Sequence, residues 1–373
     1  MPDSAFDVAI VGLGPVGATL AATLGARGRR VVVLERDTAP HALPRAAHLD
    51  GHALEVVRGA GVEVDGRPID GFDLVDRRGR LLLRGRPKEP SPPSHTPLLI
   101  HQPTLERALR TRLEALPTVE VRLGAEVQSV LKAGDRVRLE GARFDLEAAV
   151  VVGCDGARGV VRPSIRAEWT GGRFEQRWLV VDAVLEGDIG LPDRLRQIAD
   201  PARPTTFVPF PGRRRRWEFR LRPGEIAEVM ARPASVRTLL APYVSPDVLE
   251  VERAVVYTFH DVVASRWRRG RVLLAGDAAH QMPPFLGQGL GAGLRDVAAL
   301  VPVLEGVLEG APLDVLDAYE AGRRRHVEST IRQAVRLGRL ITLPEPWASV
   351  RDAALRTGMR LPGVRSLLLD VRG

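Results

Sequence analysis

The sequence predicts an α/β protein in which a Rossmann-like dinucleotide-binding domain is interleaved with a smaller antiparallel-sheet domain and followed by a helical C-terminal tail. Three observations carry this expectation. A hydrophobic run, Asp7–Val11, enters Gly12-Leu-Gly14-Pro15-Val16-Gly17 and then an Ala/Leu-rich helix, after which a second strand, Val31–Leu34, ends at Glu35. Two further apolar runs, Ala148–Val152 and Val272–Ala275, also stop at turns that combine glycine with aspartate. Between residues 173 and 261, strand-like segments succeed one another without crossover helices, which favours antiparallel pairing. The expected boundaries are 1–72, 98–172 and 262–340 for the first domain, 73–97 and 173–261 for the second, and 341–373 for the tail.

Composition sets the outer limits. A chain of 373 residues can bury two cores. The single Cys154 leaves no internal disulfide and no cysteine-based metal site, so no metal is expected and a reducing, cytoplasmic setting is. No basic leader precedes an apolar stretch, and no apolar run approaches the roughly 20 residues of a membrane span. The net charge of +8 raises the question of nucleic acid, but only Lys88 and Lys132 are lysines and the arginines are scattered. Even the densest run, Arg213–Arg216, reads as a solvated turn after Pro211-Gly212, so no nucleic-acid partner is expected.

Taken in order, the first unit is a βαβ fingerprint in its required context. The first glycine makes the turn, the second admits a pyrophosphate, and the third lets helix and strand pack. Glu35 stands where a carboxylate accepts from ribose hydroxyls and repels a 2′-phosphate, so the nucleotide is FAD or NAD. Arg45, behind Pro44, is a candidate for a phosphate or a planar ring. A helix is expected from about His52 to Gly61, then short strands and a proline-rich connector, and Gln102 precedes a helix capped by Thr104 and running through Leu116. Strands at Val119–Leu123 and Val127–Leu131, then a hairpin of Arg136–Leu139 with Phe144–Leu146, lead to the Ala148–Val152 strand and Asp155.

In the second domain, strands are expected at Trp178–Leu185, Thr206–Phe210, Arg216–Leu221 and Val255–Phe259. The chain then reaches its densest stretch of signals, Arg271–Leu300. Asp277 sits where strand becomes loop, placed to accept from the hydroxyls of a polyol. The loop narrows at Pro283-Pro284 and opens into Gly287-Gln-Gly289-Leu290-Gly291, whose backbone N–H groups can approach a flat or anionic ligand. Leu290, Leu294, Val297 and Val301 recur at helical spacing, so this loop feeds a helix N-terminus.

Together, GLGPVG with Glu35, the Pro44-Arg45-Ala loop, GCDGARGVVR and AGDAAHQMPPFLGQG resemble the FAD-dependent aromatic hydroxylases of the p-hydroxybenzoate hydroxylase type. Val256–His260 leading to Arg266-Trp267 is most similar to the 3-(3-hydroxyphenyl)propionate hydroxylase-like branch, without that branch's thioredoxin-like C-terminal extension. The resemblance implies a single-component monooxygenase that uses FAD, NADPH or NADH as a transient donor, and O2. It hydroxylates a small phenolic or other electron-rich aromatic through a C4a-hydroperoxide. The alternative is a reductase or oxidase of the same fold. Gly12, Gly14, Pro15, Val16, Gly17, Glu35 and Arg36 would hold the ADP half, with Arg45, Gln102 and Val127 near the phosphates and ribityl chain. Asp155 would serve the shared Asp-Gly motif, and Gly276-Asp277 the ribityl chain. Pro284 and the Gly287, Gly289, Leu290 and Gly291 backbone would lie against the isoalloxazine. Phe210, Phe219, Tyr257, Met282 and Pro283 are candidates for the substrate wall, and the assembly is a monomer or homodimer. The family's Asn after GQG-Leu is replaced by Gly291, so Gly291→Asn is expected to tighten FAD binding.

Overall fold

A computed structural model describes residues 6–39, 47–69, 71–85, 95–187 and 189–358. The chain divides into two compact units, the first from segments 1–65, 100–173 and 260–333, the second from 66–99, 174–259 and 334–373.

The first unit is built on a parallel sheet because its strands are continuous apolar runs. Val8, Ala9, Ile10, Val31–Val33 and Val150–Val152 are wholly buried, as strands covered on both faces must be. Spatially, Val272–Leu274, Phe144–Gly153, Phe6–Val11, Val31–Glu35 and Val119–Leu123 lie side by side, all parallel. Arg136–Gly141 and Ser129–Ala133 extend Phe144–Gly153 as an antiparallel meander. The Pro15–Ala26 helix begins with proline in its first turn, where the missing N–H costs nothing, and packs on the Gln102–Glu114 and Gly289–Leu308 helices. Asp50 caps the Gly51–Gly59 helix by accepting from the Ala53 N–H at 3.0 Å. One cap differs from expectation. The 102–114 helix takes His101 as its N-cap, because Pro103 belongs in the first turn, and Thr104 lies inside with its hydroxyl 3.0 Å from His101 Nδ1.

The second unit is a sheet with two chemically different faces. Its strand order is Leu249–Ala264, Trp169–Leu185, Arg214–Arg220, Thr205–Val208, Leu195–Ile198, Phe72–Val75 and Leu81–Gly85, the long first two each reaching into the first unit by sequence. From 169–185 through 214–220 and 205–208 to 195–198 the pairing is antiparallel, as it is between 72–75 and 81–85, whereas 195–198 runs parallel to 72–75, a segment far away in sequence and so free of hairpin constraint. Alternation puts Leu179, Val181, Phe207, Trp217 and Phe219 on one face, against Val236, Leu240 and Val244. Asp182, Arg216 and Arg253 occupy the other face, buried and mutually paired. The Trp347–Gly358 helix joins this unit: Arg351, almost wholly buried, donates to the carbonyls of Leu340, Ile341 and Ala199. Residues 359–373 lie outside the described chain.

Candidate functional site

In the first unit the parallel register brings the sequence motifs to one edge. Val11 is opposite Gly153, Gly153 is opposite Leu274, and Val11 is opposite Leu34, so four strands end level with one another. Backbone bonds continue the ladder past the strand ends: Gly12 N–H to Leu34 O at 2.8 Å, Cys154 N–H to Val11 O at 2.8 Å, and Ala275 N–H to Gly153 O at 2.9 Å. Gly12, Glu35, Asp155 and Gly276-Asp277 therefore emerge together beyond the carboxyl ends of the strands, where open α/β sheets bind ligands.

The three fingerprint glycines do three different things. Gly12 has φ +102°, and a Cβ on it would stand 2.4 Å from the Cys154 carbonyl oxygen. A Cβ on Gly17 would stand 2.1 Å from the Gly12 oxygen. Over Gly14, by contrast, a Cβ would meet no protein atom within 4 Å, so this glycine at the helix N-terminus opens onto space that a pyrophosphate can enter. Glu35 braces the turn, accepting from Leu13 N–H at 2.7 Å and Asp37 N–H at 2.9 Å, and each carboxylate oxygen keeps a lone pair for a ribose hydroxyl. Asp155 Oδ2 accepts from Val161 N–H at 2.9 Å, while its Oδ1 is buried with no hydrogen-bond partner in the protein. Burial raises the Asp155 pKa against the pull of those N–H donors. A cradle over Gly14, an orphaned buried acceptor and an exposed carboxylate at Asp277 are the donor and acceptor set an extended FAD needs, and the residues present fit it.

A buried network that the motifs do not announce holds the Asp277 turn. Asp296, wholly buried in the 289–308 helix, accepts from Gly276 N–H at 3.0 Å and contacts His280 Nε2 at 2.7 Å through Oδ2. Through Oδ1 it takes Arg323 Nε at 2.9 Å. Burial alone would raise its pKa, but His280 and Arg323 outweigh that and keep it below the ordinary aspartate value. Tyr319 donates to Leu274 O at 2.9 Å, at the end of the same strand. The sequence does carry a signal here, an acid among the apolar positions Leu294, Val297 and Leu300 of one helix, all buried.

The other expected site residues occupy varied settings. Arg36 is exposed beside Glu35, and Val127 is buried just before the 129–133 strand. The Gln102 amide donates to Glu106 at 2.7 Å within its own helix. Arg45 lies outside the described residues. Pro284 opens a short 3₁₀ turn that ends at Gly287, φ +65°, and the 289–308 helix comes next with Ala292 N–H to Gln288 O as its first ladder bond. The N–H groups of Gly289, Leu290 and Gly291 thus belong to the unbonded first turn. Gly291 is helical and buried, and a Cβ there would stand 3.0 Å from Asp50 Oδ2 and 3.1 Å from Arg295 Nη1. The asparagine expected to tighten FAD binding here would press on the Asp50 and Arg295 side-chain ends, which would have to give by a few tenths of an ångström. Among the wall candidates, Phe210 is buried with Arg216 4.8 Å above its ring, and Tyr257 takes a 2.9 Å hydrogen bond from Arg253. Phe219 lies on the opposite face, in the apolar core, which removes it from a wall that includes Tyr257. Met282 and Pro283 stand in the first unit, ahead of the glycine turn.

Residues 5–334 match the FAD binding domain family model. The chain belongs to the FAD-dependent aromatic hydroxylases. It is 40% identical over 366 residues to a probable NADH-specific resorcinol 4-hydroxylase of Rhodococcus jostii (strain RHA1), covering 94% of this chain and 68% of that one. To a 3-(3-hydroxy-phenyl)propionate/3-hydroxycinnamic acid hydroxylase of Burkholderia vietnamiensis (strain G4 / LMG 22486) it is 37% identical, covering 98% and 69%. Among solved structures, the p-nitrophenol 4-monooxygenase of Pseudomonas putida DLL-E4 superposes with a TM-score of 0.86 at 28% identity, covering 98% of this chain and 97% of that one. The glycine fingerprint, Asp155 and the Asp277 turn all fall within the family match. Among the described residues no helix is long and apolar enough to cross a membrane, and no cluster of His, Cys, Asp and Glu is arranged to hold a metal.

Proposed function

We propose that this flavin hydroxylase is a single-component monooxygenase that consumes NADH and O2 to hydroxylate a small phenol. The observation that carries the reading is the convergence of Gly14, Glu35, Asp155 and Asp277 at one sheet edge, in a chain whose relatives are phenol-directed hydroxylases. When bound, FAD supplies the redox chemistry, accepting electrons from the nicotinamide and delivering one oxygen atom of O2 to the ring. The protein's part is to bind and orient. The opening over Gly14 would admit the diphosphate, with Gly12 and Gly17 shaping the turn around it, while Glu35 would hold the ribose and Asp277 the ribityl hydroxyls. The first-turn N–H groups of Gly289, Leu290 and Gly291 would offer a positive helix end to the electron-rich side of a bound flavin.

For the substrate we assign the polar sheet face of the second unit. Arg253 donates to the Tyr257 oxygen and is itself held by Asp182 at 2.5 Å, which leaves the Tyr257 proton free to be donated. A phenol oxygen is the matching acceptor, and a hydrogen bond there stabilises the negative charge that activates the ring. Glu218, 3.9 Å from Arg216, has its pKa raised by burial, with Arg216 and Arg253 pulling the other way. We further infer a cytoplasmic monomer or homodimer, checked by gel filtration.

The test is NADH oxidation by the purified yellow protein against a panel of phenols, with oxygenated product quantified. A phenol should accelerate flavin reduction and gain one oxygen atom. Equal reduction rates with and without every phenol, and no oxygenated product, would leave a reductase or oxidase of this fold instead.

A further inference from the structure

Two helix N-termini in the first unit are tied together by a bracket that no sequence motif describes. Asp50, the N-cap of the 51–59 helix, uses Oδ1 for its cap and Oδ2 for a 2.7 Å ion pair with Arg295 Nη2. Arg295 Nη1 then donates to Gln288 Oε1 at 3.2 Å, and Gln288 is the N-cap residue of the 289–308 helix. Two residues before Asp50, His48 Nδ1 stands 3.2 Å from the Gly287 carbonyl oxygen. Burial holds His48 towards its neutral form, in which that nitrogen can be the donor. Segment 48–50 thereby grips residues 287 and 295 directly and reaches Gln288 through Arg295. The grip bears on two glycines: a Cβ at 287 would stand 3.0 Å from His48 Nδ1, and one at 291 would stand 3.0 Å from Asp50 Oδ2 and 3.1 Å from Arg295 Nη1, so the bracket would have to give by a few tenths of an ångström.

We propose that Asp50 and Arg295 are positioning residues for the flavin-facing first turn of the 289–308 helix, acting as one device in the space a side chain at 291 would otherwise fill. The inference rests on the reading of this chain as an FAD enzyme. Both side chains are largely buried, with 15% of each exposed, so the pair is shielded from screening and has a defined geometry to lose. Releasing Arg295 frees the Gln288 cap, and the Gly289–Gly291 amides lose their fixed direction. Because these donors interact more strongly with reduced, anionic flavin than with oxidised flavin, loosening them should weaken FAD and also lower the bound flavin's potential.

The experiment uses the whole 373-residue chain, stripped of flavin and titrated with FAD by fluorescence quenching, with the two-electron midpoint measured by dye equilibration. Asp50→Asn keeps a competent helix cap, since Asn and Asp cap equally well, and removes only the charged pair. Arg295→Met removes the same pair from the other side. Each should raise the FAD Kd about tenfold, and a tenfold loss of preference for the reduced form appears as a potential about 30 mV more negative. The double variant should be no worse than either single one, as residues acting through one device are non-additive. Gly291→Ala should weaken FAD in the wild-type background and cost nothing further beside Arg295→Met. Unchanged affinity and potential in a variant that melts like the wild type would overturn the proposal, as would a double variant with multiplied losses. A wild-type protein that takes up no FAD would instead overturn the functional reading on which the proposal rests.

Discussion

Replacing Asp296 by asparagine tests whether the buried network supports the flavin site or only the core. The carboxylate makes three contacts in a fully buried setting: Gly276 N–H at 3.0 Å, His280 Nε2 at 2.7 Å and Arg323 Nε at 2.9 Å. Asparagine has the same shape but one acceptor oxygen, so its NH2 must face a donor on one side. A hydrogen bond to a charged group is worth roughly 1.5–3 kcal/mol, and a buried arginine left without its anion costs roughly 3–5 kcal/mol when nothing compensates. Arg323 retains the Ala292 carbonyl at 3.1 Å, which argues for about 3 kcal/mol. For a chain of 373 residues, at roughly 2.1 cal/mol/K of unfolding entropy per residue, that is a fall in Tm of about 4 °C. Because Gly276 starts the Asp277 turn, FAD affinity should fall at least tenfold, reducing the Tm gain at saturating FAD by about 1.4 kcal/mol equivalent. The pH dependence has a definite sign. Burial raises the Asp296 pKa but His280 and Arg323 outweigh it, so the folded value is depressed. Its contribution is therefore present above the unfolded aspartate value of about 3.9 and lost as pH falls through the folded pKa, and the variant should lack this acid limb. Thermal melts of the apo-protein and FAD titrations, each across pH, supply the measurements. A lowered Tm with unchanged FAD affinity would refute the link between Asp296 and the flavin turn.

The same geometry fixes two further outcomes. Gly14→Ala should fold with stability within about 0.5 kcal/mol of wild type, because its Cβ meets no protein atom, yet bind FAD at least tenfold more weakly, whereas Gly17→Ala should fail to fold normally with its Cβ 2.1 Å from the Gly12 oxygen. Circular dichroism and flavin content separate the two, and normal FAD retention by Gly14→Ala would show that the space above it is not the diphosphate site. Asp277→Ala, at an exposed position, should remove a charge-assisted bond to a polyol worth roughly 1.5–3 kcal/mol, more than tenfold in Kd. A yellow Asp277→Ala protein with wild-type affinity would move the ribityl contact elsewhere.

The first unit was largely legible because its signals are local. A buried parallel strand must be an apolar run, and the chain must turn immediately beyond its last residue. Val11–Gly12, Val152–Gly153 and Leu274–Gly276 could therefore be read as strand ends without any pairing information, and parallel register then brings all strand ends to one edge. The long strands of the second unit were underestimated for the converse reason. Residues 169–177 alternate with charged and glycine positions, and Gly171, φ +101°, approaches so closely that a Cβ would stand 2.3 Å from the Asp261 oxygen. Only the partner strand reveals that this stretch is sheet.

Facing and long-range pairing were hidden from the sequence. Phe219 and Tyr257 look alike as aromatic strand residues. Register decides between them: Phe219 comes after Glu218 and shares a face with Trp217, whereas Tyr257 comes after Val256 and shares a face with Arg253. One residue of slip would exchange their roles, and an isolated strand segment carries no information about that slip. The same limit applies to Asp296 and Arg323, 27 positions apart, and to Asp50 and Arg295, 245 apart. Asp50, Arg295 and Arg323 each read alone as a solvated charge, and Asp296 shows only that it sits among apolar helix positions, not which base it meets. A buried acid is tolerated only beside a buried base, so the acids on apolar helix faces and at helix caps are the places where a long-range partner has to exist, and in this chain both partners converge on the glycine turns expected to hold the flavin.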